Sequence, residues 1–302
     1  MIDLSVDLCG VRLKNPVIAA SGTFGFGAEY DEYYDISLLG GISVKGLTLL
    51  PRQGNPPPRI AETAAGMLNS VGLQNPGLSV FLSDELPKLR QKNTVVIANV
   101  AGASLEDYEN MAKGLQGADV DLVELNISCP NVKEGGVAFG IRPAMVEEVT
   151  KRFKKHCEQP LMVKLSPNVA DITENARAAE NGGADAVSLI NTLTGMAIDI
   201  ETRKPILANV TGGLSGPAVK PVALRMVYQV AKSVNIPVVG MGGIETGEDA
   251  VEFLLAGATA VMVGTANLSD PMACPKVIQG IEAYLERHHL NGVQEIIGKL
   301  EA

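Results

Sequence analysis

Aromatic residues are scarce in this chain, and tryptophan is absent. Phe, Tyr and Trp make up 4% of the 302 residues, whereas hydrophobic residues as a whole make up 46% and glycine occurs 32 times. This composition favours the glycine- and valine-rich interior of an α/β protein over an aromatic-packed β-sandwich. A chain of this length has enough residues to bury two average domains or one large barrel.

Motifs that bind metals through cysteine are missing as well. The four cysteines, Cys9, Cys129, Cys157 and Cys274, show no CxxC or CxxxxC spacing. This pattern argues against a disulfide framework, a zinc site and an iron–sulfur cluster in this chain. We therefore predict a reducing, cytoplasmic environment.

The chain lacks both an excess of basic residues and a long hydrophobic run. Twenty-five basic and 34 acidic residues give a net charge of −9, which repels nucleic acids and anionic membranes. No segment reaches the roughly 18 uninterrupted apolar residues of a membrane span, and MIDLSVDLCG lacks the basic and apolar regions of a signal peptide. We expect no nucleic-acid partner and no membrane anchor.

The chain does contain a regular alternation of short apolar runs and longer segments with helical periodicity. Near-continuous hydrophobicity in the short runs is typical of parallel strands that are covered on both faces. The predicted strands are VIAASG (17–22), GISVKG (41–46), TVVIANV (94–100), LVELNISC (122–129), LMVKLSP (161–167), AVSLINT (186–192), PVVGMGG (237–243) and AVMVGT (260–265). Eight strands, each followed by a helix, predict an α/β fold, a (β/α)8 TIM barrel, with residues 1–302 in one domain.

Helical and accessory segments complete this prediction. A hairpin that turns at Cys9 and Gly10 is expected to plug the amino-terminal end of the barrel. The segment from Leu193 to Gly216 is too long for a simple loop and predicts an insertion over the carboxyl-terminal face. Helices are predicted at 27–39, 76–91, 104–115, 143–156, 171–181, 218–234, 246–256 and 270–287.

Polar side chains end several of the predicted strands, where barrel enzymes place their active sites. They are Ser21, Lys45, Asn99, Asn126, Cys129, Lys164, Asn191 and Thr192. A charged ammonium at the end of a buried strand is costly unless something compensates it. Lys45 and Lys164 therefore indicate an electron-rich cofactor or an anionic substrate, or else structural ion pairs with Glu124 or Asp185.

Three glycine clusters occur late in the chain, GGLSG (212–216), MGGI (241–244) and VGT (263–265). They lie around predicted strands 7 and 8, where barrels often bind a phosphate on backbone amides. No GxGxxG follows a predicted strand and no GxxxxGK(S/T) occurs, so the dinucleotide and P-loop fingerprints are missing. The clusters are either ordinary turns or a site for a mononucleotide-like cofactor, which FMN fits.

These residues lie in motifs that resemble the class 1 dihydroorotate dehydrogenases, FMN-containing barrels that oxidise dihydroorotate to orotate in pyrimidine biosynthesis. The similarity covers nearly the whole chain through NPVIAASGTFGFG, SVKG, GNPPPRI, GMLNSVGLQNPG, IANVAG, ELNISCPNV, VKLSPN, INTLTGMAIDI, GGLSGPA, VGMGGI and VGTAN. It implies an FMN-dependent enzyme that acts on (S)-dihydroorotate.

The stretch GNPPPRIAET followed by GMLNSVGLQNPG resembles the B subclass of that family. Its members associate with a subunit that carries FAD and a 2Fe-2S cluster, and they pass electrons to NAD. The resemblance therefore implies such a partner and a homodimer core within a heterotetramer. The alternative is the A subclass, a homodimer that reduces fumarate.

The resemblance also implies roles for individual residues. Cys129 corresponds to the catalytic base. Substrate-contacting positions correspond to Lys45, Met67, Leu68, Asn69, Ser70, Val71, Gly72, Leu73, Asn126, Asn191 and Thr192. FMN contacts correspond to Ser21, Lys45, Gly46, Asn99, Asn126, Lys164, Ile190, Gly216, Gly242, Gly243, Gly264 and Thr265.

Oxidation of dihydroorotate requires a proton to leave C5 and a hydride to leave C6 for FMN. A cysteine thiolate can serve as base without the histidine that a nucleophilic cysteine usually needs, and none of the three histidines ends a predicted strand. The segment VKEGGVAFG after Cys129 is either a lid that excludes water or an ordinary loop.

Two alternative functions stay open. One is a synthase or aldolase with Lys45 or Lys164 as Schiff-base nucleophile, and the other is a non-catalytic metabolite-binding barrel.

Overall fold

The computed structural model describes residues 2–127 and 136–301. Strands in these ranges are β1 Val6–Leu8, β2 Val11–Leu13, β3 Val17–Ala19, β4 Gly41–Ser43, β5 Ile60–Thr63, β6 Gly66–Asn69, β7 Val95–Val100, β8 Leu122–Asn126, β9 Leu161–Lys164, β10 Ala186–Leu189, β11 Leu193–Met196, β12 Ile198–Asp199, β13 Lys204–Pro205, β14 Thr211–Ser215, β15 Val238–Met241 and β16 Ala260–Val263. A closed barrel contains β3, β4, β7, β8, β9, β10, β15 and β16, all joined in parallel. The eight predicted strands and the (β/α)8 barrel are thus confirmed.

The barrel strands are apolar on both faces because helices cover the outside and side chains fill the inside. Every residue of β3, β8, β9, β10, β15 and β16 is buried. The parallel register places Asn126 opposite Lys164 and Lys164 opposite Ser188. Polar residues near the carboxyl ends of three neighbouring strands therefore lie at one level of the barrel.

Helices alternate with the barrel strands as the sequence periodicity predicts. They are α1 Ala28–Asp31, α2 Leu78–Val80, α3 Leu86–Leu89, α4 Leu105–Gly114, α5 Gly136–Ile141, α6 Pro143–Lys154, α7 Ile172–Asn181, α8 Lys220–Ala231, α9 Gly247–Leu255, α10 Ala266–Ser269 and α11 Ala273–Arg287. A π-helical turn, Phe81–Glu85, joins α2 to α3. Ser104 and Thr246 begin α4 and α9 with capping boxes, which satisfy backbone N–H groups that the helix leaves unpaired. In the described ranges no helix has the length and hydrophobicity needed to cross a bilayer.

The continuous helix predicted at 27–39 is wrong. That range contains the short helix α1 and a separate 3-10 turn, Ile36–Leu38. Asp35 has an extended backbone, and its carboxylate accepts a hydrogen bond from the backbone N–H of Ser37. A side chain that bonds to the backbone in this way begins a new turn and interrupts the preceding helix.

The amino-terminal hairpin is confirmed. Strands β1 and β2 pair antiparallel with Leu8 opposite Val11, and Cys9 and Gly10 form the turn. The thiol of Cys9 donates a hydrogen bond of 3.1 Å to the carbonyl oxygen of Asp185. Because Asp185 directly precedes β10, the hairpin contacts the amino-terminal end of the barrel.

A second sheet lies at the carboxyl-terminal end of the barrel. It is antiparallel, in the order β11, β14, β6 and β5. Strands β11 and β14 come from the predicted insertion between Leu193 and Gly216, while β5 and β6 come from the earlier segment between β4 and β7. Strands β5 and β6 were missed because they lack the continuous apolar run of a strand that is buried on both faces: β5 has no buried residue, and β6 has one, Leu68.

Candidate active site

A cavity of about 270 Å³ lies between the carboxyl ends of the barrel strands and the second sheet. We call it the barrel-mouth cavity. Most of the predicted site residues line it, namely Ser21, Lys45, Gly46, Met67, Asn69, Val71, Gly72, Leu73, Asn126, Lys164, Ile190, Asn191, Thr192, Gly216, Gly242, Gly243, Gly264 and Thr265. Residues from nearly the whole chain therefore meet in one place, as parallel barrel topology requires.

Leu68 and Ser70 correct the prediction that every residue of their segment contacts the substrate. Along β6 the side chains alternate, so Met67 and Asn69 line the cavity while Leu68 packs on the other face, 2% exposed. Ser70 is fully buried, and its carbonyl and hydroxyl oxygens accept hydrogen bonds of 2.9 and 3.1 Å from the Asn55 amide. Both residues hold the cavity wall from behind.

The two lysines predicted to face a ligand both line the cavity. Lys164 is 6% exposed, and its Nζ lies 3.8 Å from Oε1 of Glu124. Asp185 instead pairs with Lys154 at 2.5 Å. Of the ion pairs that the sequence left open, the pair between Lys164 and Glu124 is therefore present, and the same ammonium also faces the cavity.

Amide side chains form another part of the wall. Nδ2 of Asn191 lies 3.5 Å from Oδ1 of Asn126, and Oδ1 of Asn191 accepts a hydrogen bond of 2.7 Å from the backbone N–H of Thr192. Asn168 supports this loop, since its Nδ2 donates to the carbonyl of Thr192 at 3.0 Å and its Oδ1 accepts from the N–H of Thr194 at 2.9 Å. Such amides can pair with a ring that alternates C=O and N–H groups.

The three late glycine clusters meet at the cavity. The hydroxyl of Thr265 donates a hydrogen bond of 2.8 Å to Oγ of Ser215. A Cβ placed on Gly243 would lie 2.9 Å from the carbonyl oxygen of Gly216, and both glycines have positive φ, 77° and 101°. The two backbones lie too close together to leave room for a side chain at either position, so both positions need glycine. Backbone amides at such a turn suit a phosphate group.

Alanine at Gly216 is expected to lower the free energy of unfolding by about 2 to 3 kcal/mol, because the new Cβ would lie 2.5 Å from Cα of Gly66 and φ is positive. Thermal unfolding of the FMN-free protein measures this loss. Gly117→Ala is the matched control, since its φ is also positive but nothing lies within 4 Å of the added Cβ. We expect the control to lose about 1 kcal/mol of unfolding free energy. Equal losses in the two variants would contradict the close packing of the Gly216 backbone against Gly66.

Residues 3–285 match the family model described as dihydroorotate dehydrogenase. The chain belongs to this family. Two relatives named "Dihydroorotate dehydrogenase B (NAD(+)), catalytic subunit" are each 62% identical, over 298 residues for the protein of Alkaliphilus oremlandii and 299 for that of Alkaliphilus metalliredigens. The protein of that name from Thermoanaerobacter pseudethanolicus is 56% identical over 300 residues. Each of these comparisons covers 99% of both chains.

Several residues of this family member line the cavity without having been predicted. They are Ala20, Gly22, Thr23, Ile60, Ser215, Met241, Ile244, Glu245, Met262, Ala266 and Leu268. Many are sequence neighbours of predicted residues, so their position at the end of a predicted strand could have identified them as lining residues. Ile60 had no such signal, because β5 reaches the cavity only through its pairing with β6.

The described cysteines of the chain are not candidates for the base. Burial raises the pKa of Cys9 to about 12, of Cys157 to about 11 and of Cys274 to about 12, and these three thiols lie outside the cavity lining. Cys129, and the predicted lid as far as residue 135, lie outside the described residues; the remainder of that segment begins α5. Within the described ranges, no cluster of His, Cys, Asp or Glu could hold a metal ion.

The residues at the cavity fit the flavin that the sequence predicts. Oδ1 of Asn99 is buried and has no hydrogen-bond partner among the described residues. A Cβ on Gly46 would lie 3.0 Å from this oxygen, and both Gly46 and the cationic Lys164 line the cavity. Asn99 itself is fully buried behind Gly46 and does not line the cavity, contrary to the predicted FMN contact. The cation and the glycine backbone suit the electron-rich carbonyl edge and the phosphate of FMN.

Proposed function

We infer that the chain is the catalytic subunit of a dihydroorotate dehydrogenase B, which oxidises dihydroorotate to orotate in pyrimidine biosynthesis with NAD as electron acceptor. The observation that carries this inference is the 62% identity, over 99% of both chains, with relatives of that name. The barrel-mouth cavity supports it, because its wall brings amide, ammonium and glycine backbone groups together.

Binding of FMN is the first part of this proposal. The glycine loops at Gly216, Gly243 and Gly264 would hold the phosphate. Lys164 would hold the pyrimidine edge of the ring, and Asn99 would support that part of the wall from behind Gly46. Ser21, Lys45, Gly46, Asn126, Ile190, Gly242 and Thr265 complete the proposed contacts. When bound, FMN supplies a two-electron acceptor for the hydride that leaves C6 of dihydroorotate.

Recognition of the substrate is assigned to polar groups of the same cavity, two of which, Lys45 and Asn126, are also proposed to contact FMN. The amides of Asn69, Asn126 and Asn191 offer donors and acceptors for the ring, and Lys45 offers a cation for the carboxylate. The backbone at Gly72 approaches Asn55 so closely that a Cβ would lie 2.7 Å from the Asn55 side chain. We assign the backbone N–H of Gly72, which lines the cavity, to the carboxylate site. Met67, Val71, Leu73 and Thr192 would shape the pocket around the ring.

Cys129 is proposed as the base that takes the proton from C5. This proposal comes from the motif ELNISCPNV and from general chemistry, since thiolates act as general bases when their pKa lies near the working pH. The described thiols, Cys9, Cys157 and Cys274, lie outside the cavity lining and are not assigned this role.

The proposed enzyme contains a second subunit. The names of the relatives contain both "catalytic subunit" and "NAD(+)", and this chain has neither a dinucleotide fingerprint nor a cysteine cluster. We propose a second subunit that carries FAD and a 2Fe-2S cluster, with a homodimer of this chain at the core of a heterotetramer. A cytoplasmic location likewise stays a prediction from the scattered cysteines.

Anaerobic mixing of the purified, FMN-loaded chain with dihydroorotate tests the proposed reaction. We expect the yellow flavin absorbance near 450 nm to bleach, because the two electrons of the substrate pass to the cofactor. Dihydrouracil and dihydrothymine are matched control ligands, since they carry the same saturated C5–C6 bond but lack the carboxylate. A colourless protein that binds no FMN would favour the Schiff-base alternative, and a yellow protein that dihydroorotate leaves oxidised would contradict the reaction.

A further inference from the structure

Glu124 is a charged residue that the proposed contacts do not use. It lies inside the barrel on β8 and is 0% exposed. The hydroxyl of Ser43 donates a hydrogen bond of 2.7 Å to its Oε2, and the hydroxyl of Ser188 donates one of 2.7 Å to its Oε1. The Nδ2 group of Asn99 also donates to Oε2, and Nζ of Lys164 lies 3.8 Å from Oε1.

These contacts hold the carboxylate in one place. Ser43 is on β4 and Ser188 is on β10, so neutral donors reach it from two sides of the barrel. Burial of a carboxylate is costly unless hydrogen bonds and a nearby cation compensate it. The arrangement therefore fixes a negative charge directly behind the wall of the barrel-mouth cavity.

The position of Glu124 decides how the Asn99 side chain is oriented. A carboxylate only accepts hydrogen bonds, so the amide must present its NH2 group to Glu124 and turn its oxygen away. That oxygen is the buried atom without a partner in the described ranges, and it lies next to Gly46. Rotating the amide would set its oxygen against the carboxylate, and this orientation is unfavourable.

The same carboxylate also acts on Lys164. Its charge lies 3.8 Å from an ammonium that is 6% exposed and lines the cavity. Interactions between charges at this depth are screened far less than at the surface. Glu124 therefore reduces the positive potential that Lys164 exerts on anything bound in the cavity.

We propose that Glu124 is a positioning residue for the flavin site. It holds Asn99 in one orientation behind Gly46, which lines the cavity, and it moderates the charge of Lys164, so that a fixed wall and a partly compensated cation face one edge of the ring. The cation is complementary to the electron-rich N1–C2=O group of a flavin. The inference rests on the proposed function, since it takes FMN as the ligand.

Glu124→Gln tests both effects because it keeps the shape of the side chain and removes its charge. We expect the dissociation constant of FMN, titrated into the FMN-free protein, to rise about tenfold, because Asn99 loses a hydrogen bond to a charged group. We also expect the reduction potential of bound FMN to become more positive, because Lys164 then stabilises the reduced anion more strongly. Ser188→Ala, which removes one neutral donor and keeps the charge, is the matched control and should leave the potential unchanged.

A double-mutant cycle separates the charge effect from general disruption. In a Lys164→Gln background the shift in potential caused by Glu124→Gln should become smaller, since the part that arises from holding the Lys164 ammonium is gone and only the direct repulsion between Glu124 and the reduced flavin remains. Should Glu124→Gln fail to fold, Glu124→Asp keeps the charge but withdraws it from Asn99, and weaker FMN binding is expected. The proposal is overturned if the folded glutamine variant, or otherwise the aspartate variant, binds FMN as the wild type does, or if the shift in potential is equally large without Lys164. Failure of the wild-type protein to bind FMN would instead refute the proposed function.

Discussion

Flavin reduction by dihydroorotate is expected to slow by roughly 10²- to 10⁴-fold when alanine replaces Cys129, because a positioned general base contributes about that much. The variant should still bind FMN and orotate, since the thiol is assigned to proton removal and not to binding. Rapid mixing under anaerobic conditions, followed by absorbance, measures the rate. Reduction near the wild-type rate at neutral pH would remove Cys129 from the mechanism.

The control for this experiment is Cys157→Ala, which removes a thiol that lies outside the cavity lining. The pH profile adds a second check. An ordinary thiol has a pKa of about 8.5, and the thiolate forms above it, so the rate should rise as pH increases through that region. Burial raises the pKa of Cys9, Cys157 and Cys274 to about 12, 11 and 12, so these thiols would not cause a rise near pH 8.5. A flat wild-type profile from about pH 6 to 10, where proton removal limits the rate, would contradict a thiolate base.

NAD reduction should be absent from the isolated chain and should appear when the cognate FAD- and iron–sulfur-containing subunit is added. The physical reason is that this chain carries no dinucleotide fingerprint and no cysteine cluster through which electrons could pass to NAD. Steady-state formation of NADH from dihydroorotate, with and without the second subunit, measures the effect. The chain should reduce artificial dyes whether or not the second subunit is present, so dye reduction serves as the control for active protein.

An assay with fumarate as electron acceptor tests the remaining alternative, a homodimer of the A subclass. Brisk turnover of the isolated chain with fumarate as sole acceptor would place it with the A subclass and remove the need for a partner. The names of the similar relatives described above, which include NAD(+), favour the opposite outcome. NAD reduction without any second subunit would contradict both possibilities.

The barrel itself was predictable because parallel strands that are buried on both faces leave a strong sequence signal. Runs such as β8 and β16 are entirely buried, and their hydrophobicity is almost continuous. The second sheet left a weaker signal, since its strands pair with partners far along the chain, as Leu68 does with Leu214. The prediction of one helix at 27–39 was wrong because Asp35 bonds to the backbone and begins a new turn. Helical periodicity does not reveal such a side-chain hydrogen bond.

The chemistry of the site was also predictable from residue order, because residues at the carboxyl ends of parallel strands must converge. Lys45, Asn126 and Lys164 were identified on that ground, and all three line the cavity. Individual contacts were less predictable. Leu68 was included with its neighbours although β6 turns it away from the cavity, and Asn99 proved to lie behind the wall, fully buried.

The sequence by itself determined the barrel, the family and the set of polar groups at its mouth, because each depends on residue type and order along the chain. Only the tertiary structure decided what those groups face. The contact between Glu124 and Lys164, and the orientation that Glu124 imposes on Asn99, join residues from three different strands. No local pattern reports such contacts, since strand register and barrel closure bring these side chains together, and burial makes their charges and hydrogen bonds strong.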